Sequence, residues 1–107
     1  MSSNKNAALA KLKIDNYSIF HHLKTFIKVV ECNSFSAAAH KLDLTPSSVS
    51  RSISQLEDQL GVVLLKRTTR TLILTEPGQY LLFRAQRLLE ELDESLANIA
   101  SFNHHPQ

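Results

Sequence analysis

At 107 residues with 43% hydrophobic content, the chain has room for one small domain and an appendage, because domains run to about 100 to 150 residues; two independent cores are not expected. The net charge of +2 hides an asymmetry, +5 before Thr75 and −3 from Thr75 onward, which directs any polyanion to the first part and leaves the acidic end for solvent or another protein. Cys32 is the single cysteine, so no intrachain disulfide forms and a cytoplasmic setting is expected; no window approaches the ~18 apolar residues of a membrane span, and the polar start has no signal-peptide organisation.

Residues 1–17 are polar with scattered Lys and Ala, and are expected to form a flexible arm. Over residues 19–32 the apolar side chains Leu23, Phe26, Ile27 and Val30 recur at three- and four-residue intervals, which predicts an amphipathic helix. Asn33-Ser34 ends it and supplies the next N-cap. A short helix follows to about Leu42, where Ala37, Ala38 and Ala39 combine high helix propensity with side chains small enough for a close crossing. A helix-turn-helix needs such a crossing. The turn Leu42-Asp43-Leu44-Thr45 places Asp43 where the chain passes through the left-handed region.

Thr45 followed by Pro46 is an N-cap with proline at the first helical position. A third helix is predicted to about Leu60, with Val49, Ile53, Leu56 and Leu60 on its buried side and Gly61 as its stop. Two β-prone runs, 63–67 and 71–74, then predict a hairpin as a candidate wing, although Thr68, Thr69 and Arg70 lack the usual turn Gly or Asn. Thr75-Glu76-Pro77 is a second cap signal, opening a helix to about residue 101. Along it Leu81, Ala85, Leu88, Leu92, Ser95 and Ile99 alternate by fours and threes, and Leu82, Leu89 and Leu96 keep sevens. A small domain cannot cover a helix about 40 Å long, so the distal leucines imply a self-partner. Residues 102–107 carry no pattern and are expected to be disordered.

The fold class is therefore mainly α: a winged helix-turn-helix over residues 18–75 followed by a linker and dimerisation helix over 76–101. On the third helix, at 100° per residue, Ser47, Arg51, Ser54 and Asp58 point away from the buried side, flanked by Ser50 and Gln55. This face begins basic and hydrogen-bonding and ends acidic. Phosphates would repel Asp58, so the helix enters a major groove by its N-terminal half and leaves Glu57 and Asp58 away from DNA. Arg51 can fork onto O6 and N7 of guanine, and the helix N-terminus around Ser47 and Ser48 is itself an anion site. Lys66, Arg67 and Arg70 give the wing a local +3, suited to phosphates or the minor groove.

Within residues 26–78 the run Ser34-Phe35-Ser36-Ala37-Ala38-Ala39, the run Thr45-Pro46-Ser47-Ser48-Val49-Ser50-Arg51, and Leu56-Glu57, Leu60-Gly61, Leu64-Leu65, Arg67, Leu74-Thr75-Glu76 and Gly78 stand at fixed spacing. In these the chain resembles the N-terminal domain of LysR-type regulators. The resemblance implies a dimer formed by antiparallel linker helices that reads an interrupted palindrome in double-stranded DNA with two recognition helices. It carries groove contacts onto Thr45, Pro46, Ser47, Ser50 and Arg51 and a wing contact onto Arg70 with Arg67; Ser34, Ser54, Gln55, Lys66 and Thr69 complete the expected DNA-binding set. The expected dimerisation set is Leu81, Leu82, Ala85, Leu88, Leu89, Leu92, Leu96 and Ile99. Two positions depart from the pattern: Asp43 replaces a common turn glycine, and Pro46 stands where many members have a base-contacting glutamine, so no target sequence carries over. Such regulators continue into a large effector-binding domain, so the chain is expected to be the DNA-binding part of a longer protein, meeting a small-molecule effector only through that domain and forming a dimer or, at full length, a tetramer.

Two other classes compete. An enzyme would draw on the serines at 47, 48, 50, 52 and 54 with His21, His22 or His40 as base, but there is no glycine-rich loop, nucleophile elbow or acid pair. The adjacent pairs His21-His22 and His104-His105 diverge by about 100° on a helix, so neither metal nor cofactor is expected. A pure interaction module would explain the leucine-rich helix but gives no reason for a basic wing beside a serine-and-arginine face. Salt separates the two binding classes, since phosphate contacts weaken steeply with it and apolar pairing does not.

Overall fold

The computed structural model describes residues 16–68 and 70–102, with side chains from residue 18 onward. The expected arm before residue 16, Thr69 and the expected disordered end from residue 103 lie outside the described residues.

Backbone chemistry fixes the helix ends. Helix α1 (Asn16–Cys32) starts three residues ahead of its expected start at Ile19 and stops at Asn33, whose φ is 52°. Ser34 then caps α2 (Phe35–Leu42), its Oγ accepting from the Ala37 N–H at 3.1 Å. Asp43 ends α2 in the left-handed region at φ 62°, as the turn reading required. Helix α3 (Pro46–Leu60) is capped by Thr45, whose Oγ1 accepts from the Ser48 N–H at 3.1 Å, and ends at Gly61 with φ 72°.

Strands β1 (Leu65–Arg67) and β2 (Leu72–Leu74) pair antiparallel with Arg67 opposite Leu72. Threonine hydroxyls do the work of the missing turn glycine. The Thr68 N–H donates to the Thr71 carbonyl at 3.0 Å, the Thr71 N–H donates back to Thr68 Oγ1 at 3.0 Å, and the two hydroxyls lie 2.7 Å apart. Side chains thus close the turn as serine and threonine do in local motifs.

Helix α4 (Glu76–Ser101) has 26 residues and is capped by Thr75. Thr75 Oγ1 accepts from the Gly78 N–H at 3.1 Å and donates to the Val63 carbonyl at 2.6 Å, so the cap also docks the helix on the approach to β1. Gly78 is buried at that crossing, where a Cβ would fall onto the Leu64 carbonyl oxygen.

The core gathers Phe26 and Val29 of α1, Ala38 and Ala39 of α2, Val49, Ile53 and Leu56 of α3, Leu64 and Leu65 of the wing, and Ala85 of α4. The two small alanines let α2 lie close to its neighbours. The buried face of α1 includes His22 and Thr25, while Leu23 and Val30 are half-buried. The buried polar residues make hydrogen bonds in the interior: Thr25 Oγ1 donates to the His21 carbonyl at 2.9 Å, and His22 Nδ1 lies 2.6 Å from Ser52 Oγ. Cys32 is half-buried against the same core.

The apolar stripe of α4 divides. Ala85 is 1% exposed and Leu81, Leu82 and Leu89, all expected in a dimer seam, are half-buried on the core, where they attach the helix to its own domain. Farther along, Leu88 is 62%, Leu92 41%, Leu96 56% and Ile99 61% exposed. Among the described residues no helix is long and apolar enough to cross a membrane.

Candidate nucleic-acid interface

Helix α3 buries Val49, Ser52, Ile53 and Leu56, which fixes what it turns outward. Pro46, Ser47, Arg51, Ser54 and Gln55 are exposed along one side, with Thr45 exposed at the cap and Ser50 half-buried at the edge. The Thr45 hydroxyl is engaged locally, donating to Ser48 Oγ at 2.9 Å and lying 3.3 Å from Ser47 Oγ. It keeps the first turn of α3 ordered, and with it the row of N–H groups that makes a helix N-terminus attractive to anions.

The acidic end of α3 is handled in two ways. Asp58 is exposed. Glu57 turns back toward the wing, where its Oε2 accepts from the Leu64 N–H at 2.8 Å and the Leu65 N–H at 3.2 Å. A single carboxylate thus fastens the outward helix to the strand beside it. Glu57→Ala should leave two part-buried N–H groups without their acceptor and lower stability by about 2 kcal/mol. Urea unfolding measures this, and a midpoint equal to the parent's would remove the clasp.

The wing cations are not equivalent. Lys66 and Arg70 are exposed at the hairpin. Arg67 is exposed as well but is held: its guanidinium lies 4.2 Å from the centroid of the Phe35 ring, and its Nη2 donates to Ser50 Oγ at 3.4 Å. Arg67 thus ties the wing to Ser50 on α3. Ser34, also expected at this surface, is half-buried and committed to capping α2. Thr69 lies outside the described residues. Sequence reasoning missed the tie through Glu57 and the seat that Phe35 gives Arg67, since both depend on contacts between elements.

The His22 and Ser52 pair is 4% exposed at each member, closed off between α1 and α3. Among the described residues no group of three or more His, Cys, Asp or Glu could hold a metal ion.

Residues 20–79 match the family model described as bacterial regulatory helix-turn-helix protein, lysR family. Among curated proteins the chain is similar to the HTH-type transcriptional regulator PtxR of Pseudomonas aeruginosa, 43% identical over 101 residues that make up 94% of this chain and 31% of that protein. It is also similar to the HTH-type transcriptional regulator CrgA of Neisseria meningitidis, 46% identical over 85 residues, 79% of this chain and 28% of the other. The chain spans about a third of the length of these relatives. Among solved structures it is similar to a BenM DBD complex with catB site 1 DNA, with a TM-score of 0.78 and 33% identity over 82% of this chain and 98% of that one. A CbnR DBD–DNA complex gives a TM-score of 0.72 and 37% identity over 78% and 97%.

Proposed function

The chain belongs to the lysR family of bacterial regulatory helix-turn-helix proteins, and from that premise we propose that it is a transcription regulator that binds double-stranded DNA sequence-specifically as a homodimer. In this reading α3 enters a major groove by its N-terminal half, the wing follows the backbone or minor groove, and α4 joins two copies so that they read the half-sites of an interrupted palindrome. Residues 18–75 serve as the reading head and 76–101 as the linker. The observation that carries it is the outward side of α3, where Arg51, Ser54 and Gln55 are exposed, tied through the Arg67–Ser50 contact to a hairpin whose Lys66 and Arg70 are also exposed. Support also comes from similar solved structures that are complexes with DNA.

The physical roles follow from donor chemistry. Arg51 presents a planar fork that matches the O6 and N7 acceptors of guanine; Ser47, Ser54 and Gln55 can donate or accept at base edges or phosphates. Lys66 and Arg70 add charge that positions the head without choosing a sequence. For the dimer, Leu88, Leu92, Leu96 and Ile99 form an apolar row too exposed to be left in water along a helix of this length. The same reading makes the protein a binder and not a catalyst, places it in the bacterial cytoplasm, and leaves any effector to parts of a longer protein.

Selection of bound duplexes from a random DNA pool at two salt concentrations tests partner, symmetry and electrostatics together. Enrichment of an interrupted palindrome, with affinity falling as salt rises, is the expected result; absence of enrichment and of binding at low salt would overturn the reading. Arg51→Ala should weaken binding to the selected duplex by roughly 1 to 3 kcal/mol while leaving self-association intact. Equal affinities of variant and parent would show that Arg51 reads no base.

A further inference from the structure

We infer that Arg67 is a positioning residue that fixes what Ser50 reads, and not a third phosphate contact of the wing. The inference rests on the DNA-binding reading above and assigns one specificity element within it.

Two contacts hold Arg67. Its guanidinium sits 4.2 Å from the Phe35 ring centroid, well inside the roughly 6 Å over which a cation is attracted to an aromatic face. Phe35 is in turn a firm seat: it is the first residue of α2, behind the Ser34 cap, and it packs half-buried on the core. From that seat Nη2 reaches Ser50 Oγ at 3.4 Å, at the long end of hydrogen-bonding range. One side chain of β1 thereby touches both helices of the helix-turn-helix. A guanidinium with one face on a ring and one edge on a hydroxyl has lost much of the freedom that a phosphate contact needs. All three wing cations are exposed, and Arg67 differs from Lys66 in the ring and the hydroxyl that hold its guanidinium.

The consequence falls on Ser50. A serine hydroxyl has one O–H donor and two acceptor lone pairs, whereas arginine has donors only. When Nη2 donates into Ser50 Oγ it occupies a lone pair and sets a positive charge beside it, so the hydroxyl faces DNA as a donor. A donor there selects acceptors on the major-groove edge, the N7 or O6 of guanine, the N7 of adenine or the O4 of thymine, and disfavours the amino group of cytosine. Without Arg67 the hydroxyl rotates freely and accepts as readily as it donates, so the preference flattens.

The test uses the 107-residue chain and the duplexes it selects, with all four base pairs placed at the position most sensitive to Ser50→Ala. Arg67→Ala and Arg67→Lys should both flatten the preference at that pair by roughly three- to tenfold, because lysine keeps the charge but not the planar stack and fork. The slope of log affinity against log salt should stay at the parent's value in both, while Arg70→Ala lowers it by about one. Phe35→Leu, which keeps apolar volume and removes the ring, should reproduce the flattening. The pair Ser50→Ala with Arg67→Ala should lose no more discrimination than Ser50→Ala alone. Lost folding stability alone would not change a ratio between base pairs. Parental discrimination in Arg67→Lys, or a salt slope about one lower in Arg67→Ala with discrimination intact, would make Arg67 a phosphate contact and overturn the inference. A DNA-free readout keeps the two readings apart: ring-current shifts of the Arg67 side-chain protons in the parent, lost in Phe35→Leu. A parent that shows these shifts but enriches no duplex overturns the DNA-binding reading and the role of Ser50 with it; a parent without them overturns the Phe35 seat whatever the DNA result.

Discussion

Leu92→Asp combined with Leu96→Asp should leave a monomer in sedimentation and reduce affinity for a duplex with two half-sites by roughly 100-fold or more. The two leucines are 41% and 56% exposed in the single chain, so their apolar surface is available to a partner, and burying such a side chain is worth about 1.5 to 3 kcal/mol. Aspartate reverses the sign of that contribution, since a carboxylate driven into an apolar seam must be desolvated. DNA affinity falls because two linked heads bind with an effective concentration that separated heads lack, a gain of about 10² to 10⁴. Thermal unfolding of the variant should stay close to that of the parent, as neither side chain belongs to the buried core. Leu89→Asp is the control with the opposite outcome, because Leu89 packs on the core and its replacement should unfold the head. A parent that sediments as a monomer, or a double variant with unchanged mass, would falsify the seam.

Gly78→Ala should lower the unfolding free energy by about 1 to 2 kcal/mol, read from the urea midpoint. A single methyl is at issue, and two effects compete. Alanine in place of glycine in a helix gains up to about 1 kcal/mol of propensity. Against this, the added Cβ would fall onto the Leu64 carbonyl oxygen, and overpacking of this kind costs about 1 to 3 kcal/mol, occasionally more. The clash wins because the atom encountered is backbone and cannot rotate away. It also belongs to a carbonyl that accepts the Thr75 N–H at 3.0 Å, so relief by shifting the strand would loosen the cap of α4. A variant as stable as the parent would mean that the crossing can open without loss.

The punctuation of this fold is legible in its sequence. Thr45 and Thr75 as caps, Pro46 at a first helical position, Asp43 and Gly61 in the left-handed region all follow from backbone chemistry acting over one to four residues, and each stands where that chemistry puts it. So does the outward side of α3, because its buried positions repeat at a helical period. The wing is harder to read. Its turn closes through Thr68 and Thr71 hydroxyls, a solution that a search for Gly or Asn does not register. Burial in α1 follows hydrogen bonding as well as hydropathy, so His22 and Thr25 are inside while Leu23 and Val30 are only half-covered. The roles of Glu57, Phe35 and Ala85 depend on which element lies opposite, and spacing along one helix carries no such information.

Helix α4 is a single rod that Ala85 and Leu89 clamp to the head at one end and that exposes Leu92, Leu96 and Ile99, the seam proposed for a second copy, at the other. With no hinge between clamp and seam, its torsional phase becomes a ruler for the pair of heads. Inserting one residue after Glu90 would turn the seam by about 100° and displace it about 1.5 Å, swinging one head out of line with the other. Inserting seven would restore the azimuth to within about 20° while separating clamp and seam by about 10.5 Å. The spacer between half-sites that such proteins select should follow the same arithmetic, so that the distance read on DNA is written in the helical repeat of the protein.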